Sequence, residues 1–237
     1  MGDSSLVAVI CVVLIALVFD FINGFHDAAN SIATVVSTRV LKPRQAVLFA
    51  AFFNFIAVFF IGVAVAKTVG TGIIDPSIID NRLILSALAG AIAWNLITWW
   101  VGLPSSSSHA LIGGLIGAAI IRGGTAALIW EGIIKTASFI VLSPSIGLIL
   151  GLLMMVLVLN FSGKTTVSKA DRIFRRLQLF SAAVYSLGHG MNDAQKTMGI
   201  IAIVLFNNGF LGPTFHIPYW VEVACYTVIA LGTMTGG

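Results

Sequence analysis

The chain has 237 residues, 58% of them hydrophobic and only 9% charged, with a mean hydropathy of +1.04, whereas a soluble domain carries roughly 25% charged residues. It reads as an integral membrane protein, and the composition excludes a disordered or nucleic-acid-binding chain. Its 13 Lys and Arg against 9 Asp and Glu leave +4; the basic residues gather at segment ends, as the positive-inside rule expects, so no acidic partner is needed.

The N-terminus Met-Gly-Asp-Ser-Ser has no basic region before its apolar run, so Leu6 onward reads as a retained membrane segment and not as a signal peptide. Leu6 to Phe21 and Ala28 to Thr38 form a short apolar pair separated by Gly24-Phe25-His26-Asp27-Ala28-Ala29-Asn30. Arg39, Lys42 and Arg44 follow as a basic, cytoplasmic loop. Ala46 to Ala66 is long enough to cross a hydrocarbon core of ~30 Å. The stretch Lys67 to Arg82 balances two basic residues against Asp75 and Asp80, and is placed outside. Leu83 to Val101 is a second ordinary span. It leads into Gly102-Leu103-Pro104-Ser105-Ser106-Ser107-Ser108-His109 and the glycine-rich stretch Leu111 to Ile121. This section must return to its starting side, as two spans or as a re-entrant hairpin turning at Gly102 to Pro104.

Thr136 to Leu159 is the third ordinary span. A basic loop follows, with Lys164, Lys169, Arg172, Arg175 and Arg176 against Asp171 alone, and is placed in the cytoplasm. Phe174 to Leu187 and Ala194 to Phe206 then flank a second interruption, Gly190-Met191-Asn192-Asp193-Ala194-Gln195-Lys196. Asn207 to Pro218, whose one titratable residue is His216, faces outside, and Trp220 to Met234 ends the reading. Cys11 and Cys225 both sit in apolar runs and do not argue for a disulfide framework.

The two interruptions share Gly-x-(His/Asn)-Asp-Ala. By the loop charges the first is entered from outside and the second from the cytoplasm, so the repeats are inverted, the parity of alternating-access transporters. A carboxylate at helix-centre depth costs about 2.5–3.5 kcal/mol on insertion scales, which makes Asp27 and Asp193 functional candidates. Asp20 is either a functional group or an inter-helix hydrogen-bond partner.

The serine run reads as a turn feeding a helix whose N-terminus is rich in hydroxyl and amide donors, a setting that favours an anion. Carboxylate and amide oxygens suit a hard cation such as Na⁺. Together the constellations describe cation-coupled oxyanion transport: cations offset the desolvation of the anion and the opposing potential. The expected fold is an all-α polytopic membrane protein, an inverted-repeat transporter with broken helices and a re-entrant hairpin. Its parts are residues 1–137 as the first repeat, 138–171 as a connecting span and basic loop, and 172–237 as the start of a second repeat.

The segments Gly-Phe-His-Asp-Ala-Ala-Asn-Ser-Ile-Ala at 24 to 33, Gly-Leu-Pro-Ser-Ser-Ser-Ser-His at 102 to 109 and Gly-His-Gly-Met-Asn-Asp-Ala-Gln-Lys at 188 to 196 closely resemble the signature motifs of the PiT family of inorganic phosphate transporters. The resemblance runs over essentially the whole chain. It implies Na⁺-coupled phosphate symport, H⁺-coupled in some members, with a homodimer in the cell membrane and no cofactor beyond the coupling ion. By the same resemblance Asp27, Asn30, Asn192 and Asp193 hold Na⁺, while Ser105, Ser106, Ser107, Ser108, Asn30 and Gln195 bind phosphate. The family's second proline-hydroxyl-histidine motif has no counterpart before Gly237, so the second repeat reads as truncated, its core completed by a second polypeptide or a further C-terminal part.

Alternatives remain at the level of sequence. A proton-coupled phosphate permease would use His26, His109 or His189, and a sulfate permease would share the architecture. Lys196 pairs with phosphate or with Asp193. An intramembrane Ser/His/Asp hydrolase is disfavoured because no Gly-x-Ser-x-Gly elbow surrounds the serines, and a channel would need no coupling.

Overall fold

The computed structural model describes residues 3–60, 66, 72–103, 105–163 and 165–236. Helices dominate: α1 (Asp3–Ser37), α2 (Pro43–Ile56), α3 (Asn81–Val101), α4 (Ser107–Gly123), α5 (Trp130–Ser162), α6 (Val167–Asn207) and α7 (Tyr219–Gly236). By length and composition Leu6–Ser37, Asn81–Val101 and Trp130–Ser162 can each cross a membrane. The expected span Ala46 to Ala66 is helical to Ile56 and continues as a 3-10 turn over Ala57–Phe59; most of its remainder lies outside the described residues.

Both expected interruptions are absent. α1 runs unbroken through Gly24 to Asn30 and α6 through Gly190 to Lys196, which corrects the broken-helix reading of these two motifs. In hydrocarbon, opening a helix orphans backbone groups at several kcal/mol each, whereas a glycine inside a helix costs only about 1 kcal/mol relative to alanine. The motif glycines serve close packing instead. A Cβ on Gly24 would collide with the carbonyl of Ile229 on α7, and one on Gly190 would lie 2.6 Å from the carbonyl of Asn54 on α2. α7 returns the same device through Gly232 and Gly236, which sit against the backbone of Phe21 and Phe25. This small-xxx-small spacing is a packing solution for helices that have no water to drive them together.

The remaining contacts set the order of the bundle. α1 packs on α7, α6 and α3, and α2 fills the corner between α6 and α7. The main apolar core draws Val12, Ala16 and Phe19 of α1 against Leu88, Leu111, Met198 and Ile229. α3 and α4 form a hairpin in which Gly102 takes a left-handed turn (φ +71°) and the Leu103 N–H reaches back to the Thr98 carbonyl at 2.8 Å. The expected return to the starting side is met, since Arg122 at the end of α4 donates to Asp80 at the start of α3 at 2.6 Å. Burial opposes ionisation of Asp80, but the Leu83 N–H and the Arg122 guanidinium outweigh it and hold the carboxyl below its ordinary range.

Cross-links at the two ends of the bundle match the loop pairing read from charge. Thr38 donates to Gln178 at 2.9 Å and Gln178 to the Thr34 carbonyl at 3.1 Å, so the first basic loop meets the start of α6. At the other end Asn208 donates to Asn81 at 3.0 Å and Asn207 to the Ile79 carbonyl at 3.0 Å. α1 and α6 therefore run in opposite directions. α5 continues through Pro144 and has no buried residue; Ile133 near its start packs on the main core, and most of its apolar length is exposed.

Candidate functional site

In a continuous helix only residues three or four apart share a face, and this rule decides what stands beside each aspartate. On α1, Asp27 receives the Asn30 amide at 3.4 Å, and its other neighbour His26 lies 3.4 Å away. The opposite ring nitrogen of His26 is 3.4 Å from Thr98 of α3. On α6, His189, Asp193 and Lys196 form a single stripe. Lys196 donates to Asp193 at 2.5 Å and also bonds Ser108 of the hairpin. His189 joins the two helices, with Nε2 lying 3.8 Å from Asp27 and 3.5 Å from Asp193. Its Nδ1 stands 3.4 Å from Asn54, whose amide in turn donates to Thr233 at 2.8 Å.

The hairpin delivers the hydroxyls. Ser106 caps α4 by accepting the His109 N–H, so the open N-terminus of that helix lies among the serines. The Trp94 indole N–H donates to Ser105 at 2.9 Å. A 410 Å³ cavity is lined by Asp27, Asn30, Ser105, Ser106, Ser108 and Asp193. Residues from three distant parts of the sequence thus meet at one concave surface.

Three expected site residues lie elsewhere. Asn192 donates to the Gly188 carbonyl at 2.9 Å on the outer side of α6 and lines a separate space with Lys135, Thr136 and Pro144. Gln195 is buried and hydrogen-bonds to Tyr226 of α7. Ser107 is buried, with a hydroxyl that finds no partner among the described residues, and does not line the cavity. Asn192 and Ser107 are adjacent in sequence to residues that do face it, and the helical turn of about 100° per residue carries them away.

Sequence reasoning missed Asn54, Thr98 and Asn23. Asn54 and Thr98 hold the two histidines, and Asn23 approaches Asp193. Asn54 is a single polar residue inside an apolar run, and that isolation was the available signal; Asn23 and Thr98, each three residues after another polar side chain (Asp20 and Asn95), carried no such mark.

The site can hold ions of both signs. One ligand atom each from Asp27, His189 and Asp193 lie within 4.8 Å of one another, which suits a small cation. Hard carboxylate oxygens favour an ion such as Na⁺, and the imidazole is a softer donor. The serine hydroxyls and the helix N-terminus face the same space and suit an anion. Two carboxylates against one ammonium leave a negative balance, so an anion needs a cation with it.

The profile of the phosphate transporter family matches residues 23–237. A Rhizobium meliloti protein described as a probable low-affinity inorganic phosphate transporter is 57% identical over 225 residues, spanning 95% of this chain and 67% of its own. A Bacillus subtilis protein of the same description is 49% identical over 238 residues, spanning 99% of this chain and 71% of its own. Among solved structures, a chain described as the sodium-dependent phosphate transporter superposes with a TM-score of 0.81 at 23% identity. That match covers 95% of this chain and 76% of the other, and shows the shared fold. The chain belongs to the phosphate transporter family, and is a multi-pass membrane transporter and not an enzyme.

Proposed function

We propose that the protein is a secondary active transporter that carries inorganic phosphate together with Na⁺ by alternating access. The observation that carries this reading is the single cavity lined by Asp27, Asp193 and the hydroxyls of Ser105, Ser106 and Ser108. Phosphate entering alone would meet an uncompensated carboxylate in a low-dielectric site, at a cost that bound cations offset. Na⁺ at Asp27 and Asp193, with Asn30 beside them, supplies that charge, and the serines and the α4 N-terminus take the phosphate oxygens. Lys196 anchors Asp193 to the hairpin through Ser108, and so ties the cation side of the site to the anion side. The structural neighbour is described as sodium-dependent, which agrees with this coupling.

The opposite directions of α1 and α6, each carrying one aspartate and one close-packing glycine, support an inverted repeat with its axis in the membrane plane. The exposed apolar stretch of α5 from Phe139 to Phe161 supports lipid contact or contact with a second copy of the chain.

The test is uptake of labelled phosphate into proteoliposomes containing the full-length transporter, with and without an inward Na⁺ gradient. Uptake above equilibrium should require the gradient, and excess sulfate should not compete, because Asp27 or Asp193 can accept a hydrogen bond from a protonated phosphate oxygen that sulfate lacks. Uptake that only equilibrates phosphate would indicate a channel, and full competition by sulfate would contradict the substrate assignment.

A further inference from the structure

Two helical turns before Asp27, on the same face of α1, stands a carboxylate that the proposed transport chemistry does not use. Asp20 has no exposed surface. Its Oδ1 accepts the Thr197 hydroxyl of α6 at 2.9 Å, and its Oδ2 has no hydrogen-bond partner among the described residues. None of the ion pairs among those residues includes it. Three residues on, Asn23 is 1% exposed, and neither its amide nitrogen nor its oxygen makes a full hydrogen bond. The titratable groups that face Asp20 are Asp193 and Lys196 from α6 and Cys225 and Tyr226 from α7.

A carboxylate enclosed this fully, with one oxygen undonated, requires a positive partner. A metal ion asks for a shell of several oxygens. α1 and α6 are continuous here, so their carbonyls are committed to helix hydrogen bonds. A proton needs only one carboxylate oxygen and one acceptor, and the Asn23 side-chain oxygen, one turn along the same helix, lacks a donor.

We propose that Asp20 is a proton-binding site, separate from the phosphate cavity and linked to it. The carboxylate takes a proton from solvent when phosphate enters and returns it when phosphate leaves. The route is short: Thr197 lies one turn beyond Asp193 on α6, and Asn23 stands between Asp20 and Asp193. Negative charge arriving in the cavity raises the proton affinity of a nearby carboxylate. By reciprocity, protonation tightens phosphate binding. The inference rests on the reading of the cavity as a phosphate site.

The test compares phosphate affinity of the full-length transporter and its Asp20→Asn variant at saturating Na⁺, from pH 6 to pH 8. The amide is a fixed neutral mimic of the protonated acid, so phosphate's own ionisation cancels in the ratio of the two affinities. Wild type should weaken relative to the variant by about fivefold or more across that range, and its infrared spectrum should carry a protonated-carboxyl band that the variant lacks. A constant ratio overturns the proposal, as does a constant ratio with one Na⁺ fewer bound by the variant, which would make Asp20 a metal-ion ligand. If wild type binds no phosphate, the cavity reading fails, while the infrared band still decides whether Asp20 is protonated. Should Asp20→Asn not fold, Thr197→Val serves: removing the donor to the charged form must move the affinity loss to higher pH, and an unmoved profile contradicts the proposal.

Discussion

Replacing Asp27 by Asn is expected to lower Na⁺-driven phosphate uptake by about thirtyfold or more, with the protein still inserted and folded. The amide keeps the shape and the contact with Asn30 but removes the charge that a cation would neutralise, and truncating one partner of a desolvated charge pair costs roughly 2–5 kcal/mol, at a factor of ten per 1.4 kcal/mol. Asp193→Asn should lose uptake to a similar degree and should also be less stable. It leaves the Lys196 ammonium, 13% exposed, without its carboxylate, and breaking a buried pair from one side costs about 3–5 kcal/mol. Radiolabelled uptake in proteoliposomes reads the first effect and thermal unfolding in detergent the second. Unchanged Na⁺ dependence of uptake in both variants would remove these carboxylates from the cation site.

Gly24→Val is expected to be among the most damaging single changes in the bundle. A Cβ there meets the Ile229 backbone carbonyl, which cannot rotate aside, so α1 and α7 must separate along the crossing that Gly232 and Gly236 also serve. Overpacking a core costs about 1–3 kcal/mol where side chains can yield; against backbone the cost lies at the upper end or beyond. Gly113 is the control, because a Cβ there has nothing within 4 Å, and Gly113→Ala should be neutral or stabilising through helix propensity. Thermal unfolding and the monodisperse fraction after solubilisation check both. Equal stability of Gly24→Val and Gly113→Ala would mean the close crossing does not matter.

The same glycines explain which parts of this fold could be read in advance. The loop charges paired the ends of the bundle as Gln178 and Asn208 connect them, because charge placement relative to a membrane is a property of short segments. The hairpin was legible because Gly-Leu-Pro followed by serines is a local turn and cap. Helix continuity was not: a glycine beside polar residues looks the same whether it opens a helix or admits a neighbour, and Ile229 lies more than two hundred residues away from Gly24 in sequence.

That ambiguity also decided the site. Asp27, Asp193 and three of the serines were visible as polar groups in apolar surroundings. A broken helix would let Asn192 and Gln195 converge with Asp193, whereas an intact one turns Asn192 outward and Gln195 toward Tyr226. His189, four residues before Asp193, gains what they lose. Asn54 and Thr98 act through the histidines they hold, and that role exists only once α2 and α3 have packed.

In the proposed mechanism cation and phosphate share one cavity and stabilise each other there. The direct measurement is phosphate affinity of the full-length transporter by calorimetry, with Na⁺ absent and at saturation, in wild type and Asp27→Asn. The predicted result is tighter phosphate binding with Na⁺ by about fivefold or more in wild type, the scale of ordinary coupling between sites, and little or no gain in Asp27→Asn. Phosphate binding that is equally tight with and without Na⁺ in wild type would contradict it.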